Sequence, residues 1–301
     1  MKKIILFLQF ILLSLAGFSQ SDIRINNYWE NLYYINPAAI SDEYGAVFSM
    51  AARKQWFGVP GSPNTLFASG TMYVDKMQTQ FGMKFYADEI GYTHISNVSL
   101  SYSYLVVLDP YWNLDLGLAA GFQNLSYDLS QVNSATIDDP AFLTHLIKTN
   151  NYNFDVGAQL TNKTLTVGIS GQNLLSIFFV ENKLQTNTNF LYAKYRKKTN
   201  QAVDMQYGMS AIQYGSALQM EFSVMSYFKQ YQHPDVFQAG LFYRTRNEMG
   251  AMLGLNLGDN LHLWYSYDFN VGGLQSNFVG THELMLVLKL NKVPECVNCA
   301  K

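Results

Sequence analysis

Charged residues are scarce in this chain of 301 residues, at 14% of the total. Soluble domains average roughly 25%, so the chain carries too little charge to cover a large water-exposed surface. Lysine and arginine together number 20, against 22 aspartate and glutamate. Because phosphate binding needs clustered positive charge, this balance excludes a nucleic-acid partner from the expected functions.

Cysteine is nearly absent, since Cys296 and Cys299 are the only two. This pair supplies too few ligands for a structural zinc site, and no βαβ pattern suggests a thioredoxin-like centre. In an oxidising compartment we expect a local disulfide between them, with a redox-active or partner-linked pair as the alternative. The histidines show no metal-ligand spacing and no glycine loop is of the phosphate-binding type, so we expect no metal, no cofactor and no small-molecule substrate.

Long apolar runs are absent beyond the N-terminus. The start, MKKIILFLQFILLSLAGFSQ, combines two lysines, an apolar stretch and the small residues Gly17 and Ser19. It predicts a secretory signal peptide over residues 1–19, with a membrane anchor as the alternative. No later stretch approaches the roughly 18 consecutive apolar residues of a membrane helix. An exported chain of this kind is soluble, surface-bound, or a membrane protein built from strands.

Strict alternation of apolar and polar residues is the dominant pattern. In YNFDVGAQL, residues 152–160, the apolar and polar side chains separate onto the two faces of a strand. The same period recurs in WNLDLGLAAGF, residues 112–122, and in residues 97–104 and 282–290. No segment of comparable length keeps a helical period.

About fourteen such runs are separated by turn signals. They lie near residues 45–57, 64–74, 80–88, 95–108, 111–124, 152–161, 164–172, 187–197, 202–213, 217–229, 235–245, 248–257, 260–269 and 280–290. Most reach the roughly nine to eleven residues that a tilted strand needs to cross a bilayer, whereas strands of soluble sheets average about five or six. The longest connections all follow odd-numbered strands, as expected if they emerge at the cell surface and both chain ends are periplasmic.

We therefore predict an all-β fold, a transmembrane outer-membrane β-barrel of about 14 antiparallel strands. In the run MGAMLGLNLGDNLHLWYSYDF, residues 249–269, one face would contact lipid and the other the lumen. The lipid-facing set would be Leu253, Leu255, Leu257, Leu261, Leu263, Tyr265, Tyr267 and Phe269. The lumen-facing set would be Asn256, His262, Ser266 and Asp268. The alternative is a secreted β-sandwich with a dry apolar core.

Several short motifs carry a resemblance to a known family. They are YYINPA (33–38), RKQWFGVPGSP (53–63), DPAF (139–142), GISGQNLL (168–175), the run 249–269 and GTHELML (280–286). In this order and spacing they resemble the PorP/SprF family of type IX secretion system outer-membrane proteins. The resemblance implies a non-enzymatic barrel in the outer membrane of a Gram-negative bacterium. It also implies work with the secretion and gliding machinery in export or surface anchoring of cargo adhesins.

The prediction divides the chain into four parts: a signal peptide (1–19), a periplasmic or lumen-filling N-terminal segment (20–44), the barrel (45–290) and a periplasmic tail (291–301). Candidate partner-contact residues are Asn36 and Pro37 in the first motif, and Arg53, Lys54, Trp56 and Gly61 in the first external turn. Trp and Arg are enriched at binding hot spots. An interfacial aromatic flanked by cations is the alternative explanation for the turn.

Two other functions remain open at this stage. A porin-like diffusion channel for small solutes would account for polar lumen faces, because fourteen strands can enclose a water-filled path. A membrane lipase would use His94 and Ser96, which period two places on one face. No partner that would orient His94 can be identified from the sequence.

Overall fold

Fourteen antiparallel strands close into one barrel in the computed structural model, which describes residues 24–127, 149–178, 186–199, 202–230, 233–245, 247–271 and 280–293. In chain order, β1 to β14 are Tyr44–Lys54, Asn64–Val74, Thr79–Ile90, Thr93–Val107, Asn113–Tyr127, Thr149–Thr161, Leu165–Gln172, Thr188–Arg196, Val203–Tyr214, Ala217–Gln230, His233–Arg244, Glu248–Leu257, Leu261–Asn270 and Thr281–Lys292. The predicted fold class is confirmed, and the strand bounds lie close to the expected ones.

Closure comes from pairing of the first and last strands. β1 pairs with β14 in an antiparallel register that sets Ala46 opposite Leu290 and Arg53 opposite Glu283. Every other strand pairs with its neighbours in sequence. A closed sheet satisfies its backbone hydrogen bonds between strands, which is the condition for strands to cross a bilayer.

The two faces of the barrel wall follow the alternation in the sequence. On β12, Leu253, Leu255 and Leu257 are exposed on the outer face, as expected for contact with lipid. His262, Ser266 and Asp268 are buried on the inner face. Two apolar residues of the same run, Met252 and Trp264, share this inner face and are buried, although only polar side chains were expected there.

The first strand is shorter than expected, because it ends at Lys54 rather than at residue 57. Trp56 and Gly58 have φ values of 48° and 89°. These left-handed conformations leave the extended geometry of a strand, so the ladder stops. The amide of Gln55 instead donates to the carbonyl of Pro63 at 3.0 Å and closes the turn.

The two ends of the barrel differ. The terminal end is where β1 begins and β14 finishes, and it carries short turns such as those after β2 and β12. The loop end is where the odd-numbered strands finish, including β5 at Tyr127, β7 at Gln172 and β13 at Asn270. Among the described residues, no helix combines the length and apolar character needed to span a membrane. Within the described ranges, the helical pieces are single turns at Asn26–Trp29, Leu32–Tyr34, Asp75–Met77 and Leu175–Phe178.

The predicted signal peptide, the DPAF motif, Cys296 and Cys299 lie outside the described residues. Only the first residues of the predicted tail are described, and Asn291 and Lys292 belong to β14. The division into signal peptide, N-terminal segment, barrel and tail therefore stays a prediction.

Candidate functional site

The described residues before β1, 24–43, form a strand-free chain called here the N-terminal segment. It alternates too poorly to join the sheet, and two 3₁₀ turns shape it instead. Its side chains contact inward-facing residues on opposite walls of the barrel, from Arg53 on β1 to Ser210 on β9. The segment begins near the loop end and reaches the terminal end at Tyr44, so it runs through the lumen.

Apolar side chains of the N-terminal segment pack against apolar patches on the inner wall. Ile25 is buried in a cluster that includes Phe67, Phe242, Met252 and Trp264. Burying a side chain of this size stabilises by about 1.5–3 kcal/mol. The inward position of Met252 and Trp264 is thereby explained, because both cover part of the segment rather than lining water.

A second apolar cluster lies on the other side of the lumen. It brings Tyr28, Trp29 and Ile35 of the N-terminal segment against Phe190 and Tyr192 of β8. The Trp29 and Tyr192 rings meet edge to face, with centroids 6.4 Å apart. These two clusters hold opposite sides of the segment to the wall.

A buried charge network near the loop end holds Asn26. Its side-chain oxygen accepts from Arg53 Nη1 and from Arg244 Nη2, both at 2.9 Å. Its backbone amide donates to Glu283 Oε2 at 2.6 Å, and its side-chain nitrogen donates to Asp268 Oδ2 at 3.0 Å. One asparagine therefore bonds to four charged side chains from β1, β11, β13 and β14.

Glu221 of β10 is the second anchor in this network. Its Oε2 accepts from Arg244 Nε at 2.5 Å, and its Oε1 accepts from Tyr28 Oη at 2.8 Å and from Trp29 Nε1 at 2.9 Å. Arg244 and Glu221 are 1% and 2% exposed at the side chain. A buried carboxylate of this kind needs both its cation and its hydrogen-bond donors, and the N-terminal segment supplies the donors.

The middle of the N-terminal segment fits against glycines in the wall. Asn36 Nδ2 donates to the Ala158 carbonyl at 3.1 Å and to Tyr192 Oη at 2.9 Å. The space that a Cβ at Gly157 would need is taken by Asn36 Oδ1, and that of a Cβ at Gly117 by the backbone of residues 37 and 38. These glycines permit close backbone approach within the strands.

An ion pair holds the N-terminal segment near the terminal end. Glu30 Oε1 lies 2.6 Å from Lys289 Nζ on β14 and 3.8 Å from His262 Nδ1 on β13. Burial alone would raise the pKa of Glu30, but the charges of Lys289 and His262 lower it overall. Glu30 is therefore ionised at neutral pH and attaches the segment to the last two strands.

The first external turn, residues 55–63, is ordered by backbone hydrogen bonds. The Phe57 amide donates to the Gly280 carbonyl at 3.1 Å, and the Gly91 amide donates to the Gly61 carbonyl at 2.9 Å. Trp56 is 42% exposed and Phe57 is 55% exposed on this turn. Two large aromatic side chains are thus presented to the outside on a preorganised loop.

The structure separates the six candidate partner-contact residues into two groups. Trp56 and Gly61 lie on the exposed external turn, and the half-buried Lys54 donates from Nζ to the Ser62 carbonyl at 3.0 Å. Asn36 and Arg53 are buried and bonded inside the lumen, and Pro37 is buried beside Asn36. A partner would reach these three only by displacing the N-terminal segment, and the contact role of all six stays a prediction.

Sequence reasoning missed Asn26 in the N-terminal segment and also missed Glu221 and Arg244, which bond to the segment from the wall. The sequence did contain a signal for this network. Charged residues are rare in this chain, and Arg53, Arg244 and Glu283 all fall at lumen-facing positions of their strands. His94 and Ser96 lie on β4 at half-buried positions of one face. No group of three or more acidic, histidine or cysteine side chains suited to a metal ion occurs in the described ranges.

These features define a class: an outer-membrane β-barrel whose lumen is filled by its own N-terminal segment. More specifically, the chain belongs to the PorP/SprF family of type IX secretion system membrane proteins, whose family model matches residues 17–288. It is thus located in the outer membrane of a Gram-negative bacterium. No curated protein matches the chain.

Solved outer-membrane proteins share the fold. The chain is similar to the CymD monoaromatic hydrocarbon channel, with a TM-score of 0.54 and 10% identity over 86% of this chain and 92% of the channel. It is also similar to Omp33 of Acinetobacter baumannii, with a TM-score of 0.49 and 9% identity over 83% of this chain and 100% of that protein. At 10% identity, the likeness to the CymD channel shows the fold alone.

Proposed function

We propose that this protein is a protein-interaction barrel of the type IX machinery that binds specific cargo adhesins and helps to export them or anchor them at the cell surface. Membership of the PorP/SprF family supports association with the secretion machinery. The single structural observation that carries the proposal is the filled lumen. A barrel whose interior is bonded to its own chain from Arg53 to Ser210 is built to present surfaces rather than to pass solutes.

The external turn supports a contact role at the loop end. In outer-membrane barrels the short turns face the periplasm and the longer loops face outward, so Trp56 and Phe57 belong to the outer surface. Large aromatics on ordered backbone lose little entropy on binding and dominate interface energetics. Cargo displayed outside the cell would have access to this turn.

Deleting the gene in its native bacterium tests the proposal. Surface display of one or a few adhesins should be lost. Other type IX cargo should still be exported, and the outer membrane should not become permeable to small solutes. Complementation with the unaltered gene is the control. Normal display of every adhesin in the deletion strain would rule the proposal out.

A diffusion channel is the second candidate, supported by the polar residues on the inner wall. Single-channel recording of the full chain in planar bilayers separates the two functions. Steady conductance with the N-terminal segment present would favour the channel, whereas a closed barrel supports the interaction role.

A further inference from the structure

The terminal end of the lumen contains a polar cavity of about 270 Å³ between the N-terminal segment and inward-facing residues of β1, β5 to β8 and β14. A water molecule occupies about 30 Å³ in the liquid, so the cavity is much larger than a single-water site. Four carboxylates line it, Glu30, Asp42, Glu43 and Asp115, against two lysines, Lys194 and Lys289. The wall is therefore net negative.

The charges in this cavity are unevenly distributed. Lys289 is paired with Glu30 at 2.6 Å, and Lys194 lies in electrostatic contact with Glu30 and Glu43. Asp42 and Asp115 lie close enough to repel each other. The lysines thus neutralise one side of the cavity and leave the side of Asp42 and Asp115 negative.

Asp115 has unused binding capacity. The residue is 2% exposed, and its Oδ2 accepts from Gln159 Nε2 at 3.1 Å. Its Oδ1 is buried and has no hydrogen-bond partner among the described residues. A buried carboxylate left without a cation is costly, so such a group is expected to bind either a positive partner or a proton.

We propose that this cavity binds an organic cation, namely the guanidinium or ammonium group of an arginine or lysine side chain on a polypeptide that enters from the terminal end. Asp115 is the counterion and Asp42 adds to the negative field. Thr161 and Thr166, which also line the cavity, supply hydroxyl acceptors for the remaining N–H groups. The donor-rich, planar guanidinium matches a carboxylate with free acceptor sites.

Calorimetric titration of the purified full chain in detergent at low salt tests this inference. The probes are Gly-Arg-Gly amide, its uncharged isostere Gly-citrulline-Gly amide, and spermidine as a free amine. The arginine peptide should bind saturably, and at least about tenfold more tightly than the citrulline peptide. Binding of spermidine alone would assign the site to free amines and overturn the polypeptide source.

Two variants locate the site. Asp115→Asn should weaken binding of the arginine peptide at least about tenfold. Asp42→Asn, at an exposed position outside the strands, should weaken binding of the arginine peptide about two- to fivefold, because the negative charge near the site is lost. This second variant still tests the site if Asp115→Asn fails to fold. Asp88→Asn is the matched control, because this buried carboxylate bonds to Thr65 elsewhere in the wall.

No saturable binding, equal binding of both peptides, or unchanged binding in folded Asp115→Asn would overturn the inference. The titration uses the isolated protein and no cargo. Its failure therefore leaves the proposed role in adhesin display untouched, and failure of that role leaves the cation site standing.

Discussion

The side-chain oxygen of Asn36 occupies the space that a side chain at Gly157 would need. This contact joins the middle of the N-terminal segment to β6 and shows how closely the segment fits the wall. Gly157→Leu should therefore force Asn36 and its neighbours away from β6. We expect added chymotrypsin, which cleaves after aromatic residues such as Tyr33 and Tyr34, to cut the segment in this variant while the barrel resists.

Ala158→Leu is the matched control for Gly157→Leu, because the neighbouring position faces lipid, where a leucine is accommodated. It should leave the N-terminal segment protected. Equal protection of the segment in both variants would contradict the close fit.

Removal of the N-terminal segment should open the barrel. A variant lacking residues 24–39 keeps all fourteen strands but loses the side chains that fill the lumen. Fourteen strands enclose a water-filled path when nothing fills it. Planar-bilayer recordings should show discrete conductance steps for this variant and closed behaviour for the full chain. A variant that folds but stays closed would show that other residues block the lumen.

Arg244→Met should destabilise the barrel strongly. The substitution leaves Glu221 buried without its cation and removes one of the two arginines that pair with Asp268. Breaking a buried pair costs about 3–5 kcal/mol. Urea unfolding in lipid vesicles measures the loss. Lys198→Met is the control, since Lys198 and Glu43 form an exposed pair, 63% and 60% accessible, and should lose about 0–1 kcal/mol. Similar losses for both variants would argue against the buried network as an anchor.

Acidic pH should weaken attachment of the N-terminal segment through Glu30. The pKa of Glu30 in the folded protein lies below its ordinary value of 4.5. The ionised carboxylate therefore stabilises the attached segment above pH 4.5, and this stabilisation is lost as the pH falls through the folded-state pKa. Protease sensitivity of the segment should rise more between pH 7 and about pH 3 in the native chain than in Glu30→Gln. If the two responses to pH coincide, Glu30 does not control attachment.

The double substitution Trp56→Ala, Phe57→Ala should reduce cargo display without unfolding the barrel. Both side chains are exposed at the loop end, and truncating a hot-spot aromatic commonly costs about 2 kcal/mol or more in binding. Quantitative surface labelling of the adhesin measures the effect. Tyr111→Ala, which removes a 74% exposed aromatic at the terminal end, should leave display unchanged. A display defect shared by both variants would point to the membrane rather than to the turn.

Much of the fold could be predicted because each strand carries its own signal. Alternation placed Leu253 outside and Asp268 inside without knowledge of any neighbouring strand. The end of β1 was misplaced, since the left-handed conformation at Trp56 depends on a turn that also bonds to Gly280. Local patterns therefore predict faces well and strand ends less well.

The contents of the lumen could not be predicted in the same way. Asn26 and Arg244 are 218 positions apart, and their meeting depends on closure of the sheet and on the path of the N-terminal segment. Met252 and Trp264 place apolar side chains on an inner face that was expected to be polar, because they pack against Ile25 rather than contact water. Arg53, a candidate partner-contact residue, is buried against Asn26, and its contact role stays a prediction.

The sequence by itself determined the barrel, its lipid face and the difference between its two ends, because period two and connection length are properties of short stretches of chain. The tertiary structure alone decided that the lumen is filled, which residues hold the N-terminal segment and where one buried carboxylate oxygen, Asp115 Oδ1, has no hydrogen-bond partner among the described residues. Those features arise from contacts between residues far apart in sequence, which exist only once the last strand has paired with the first.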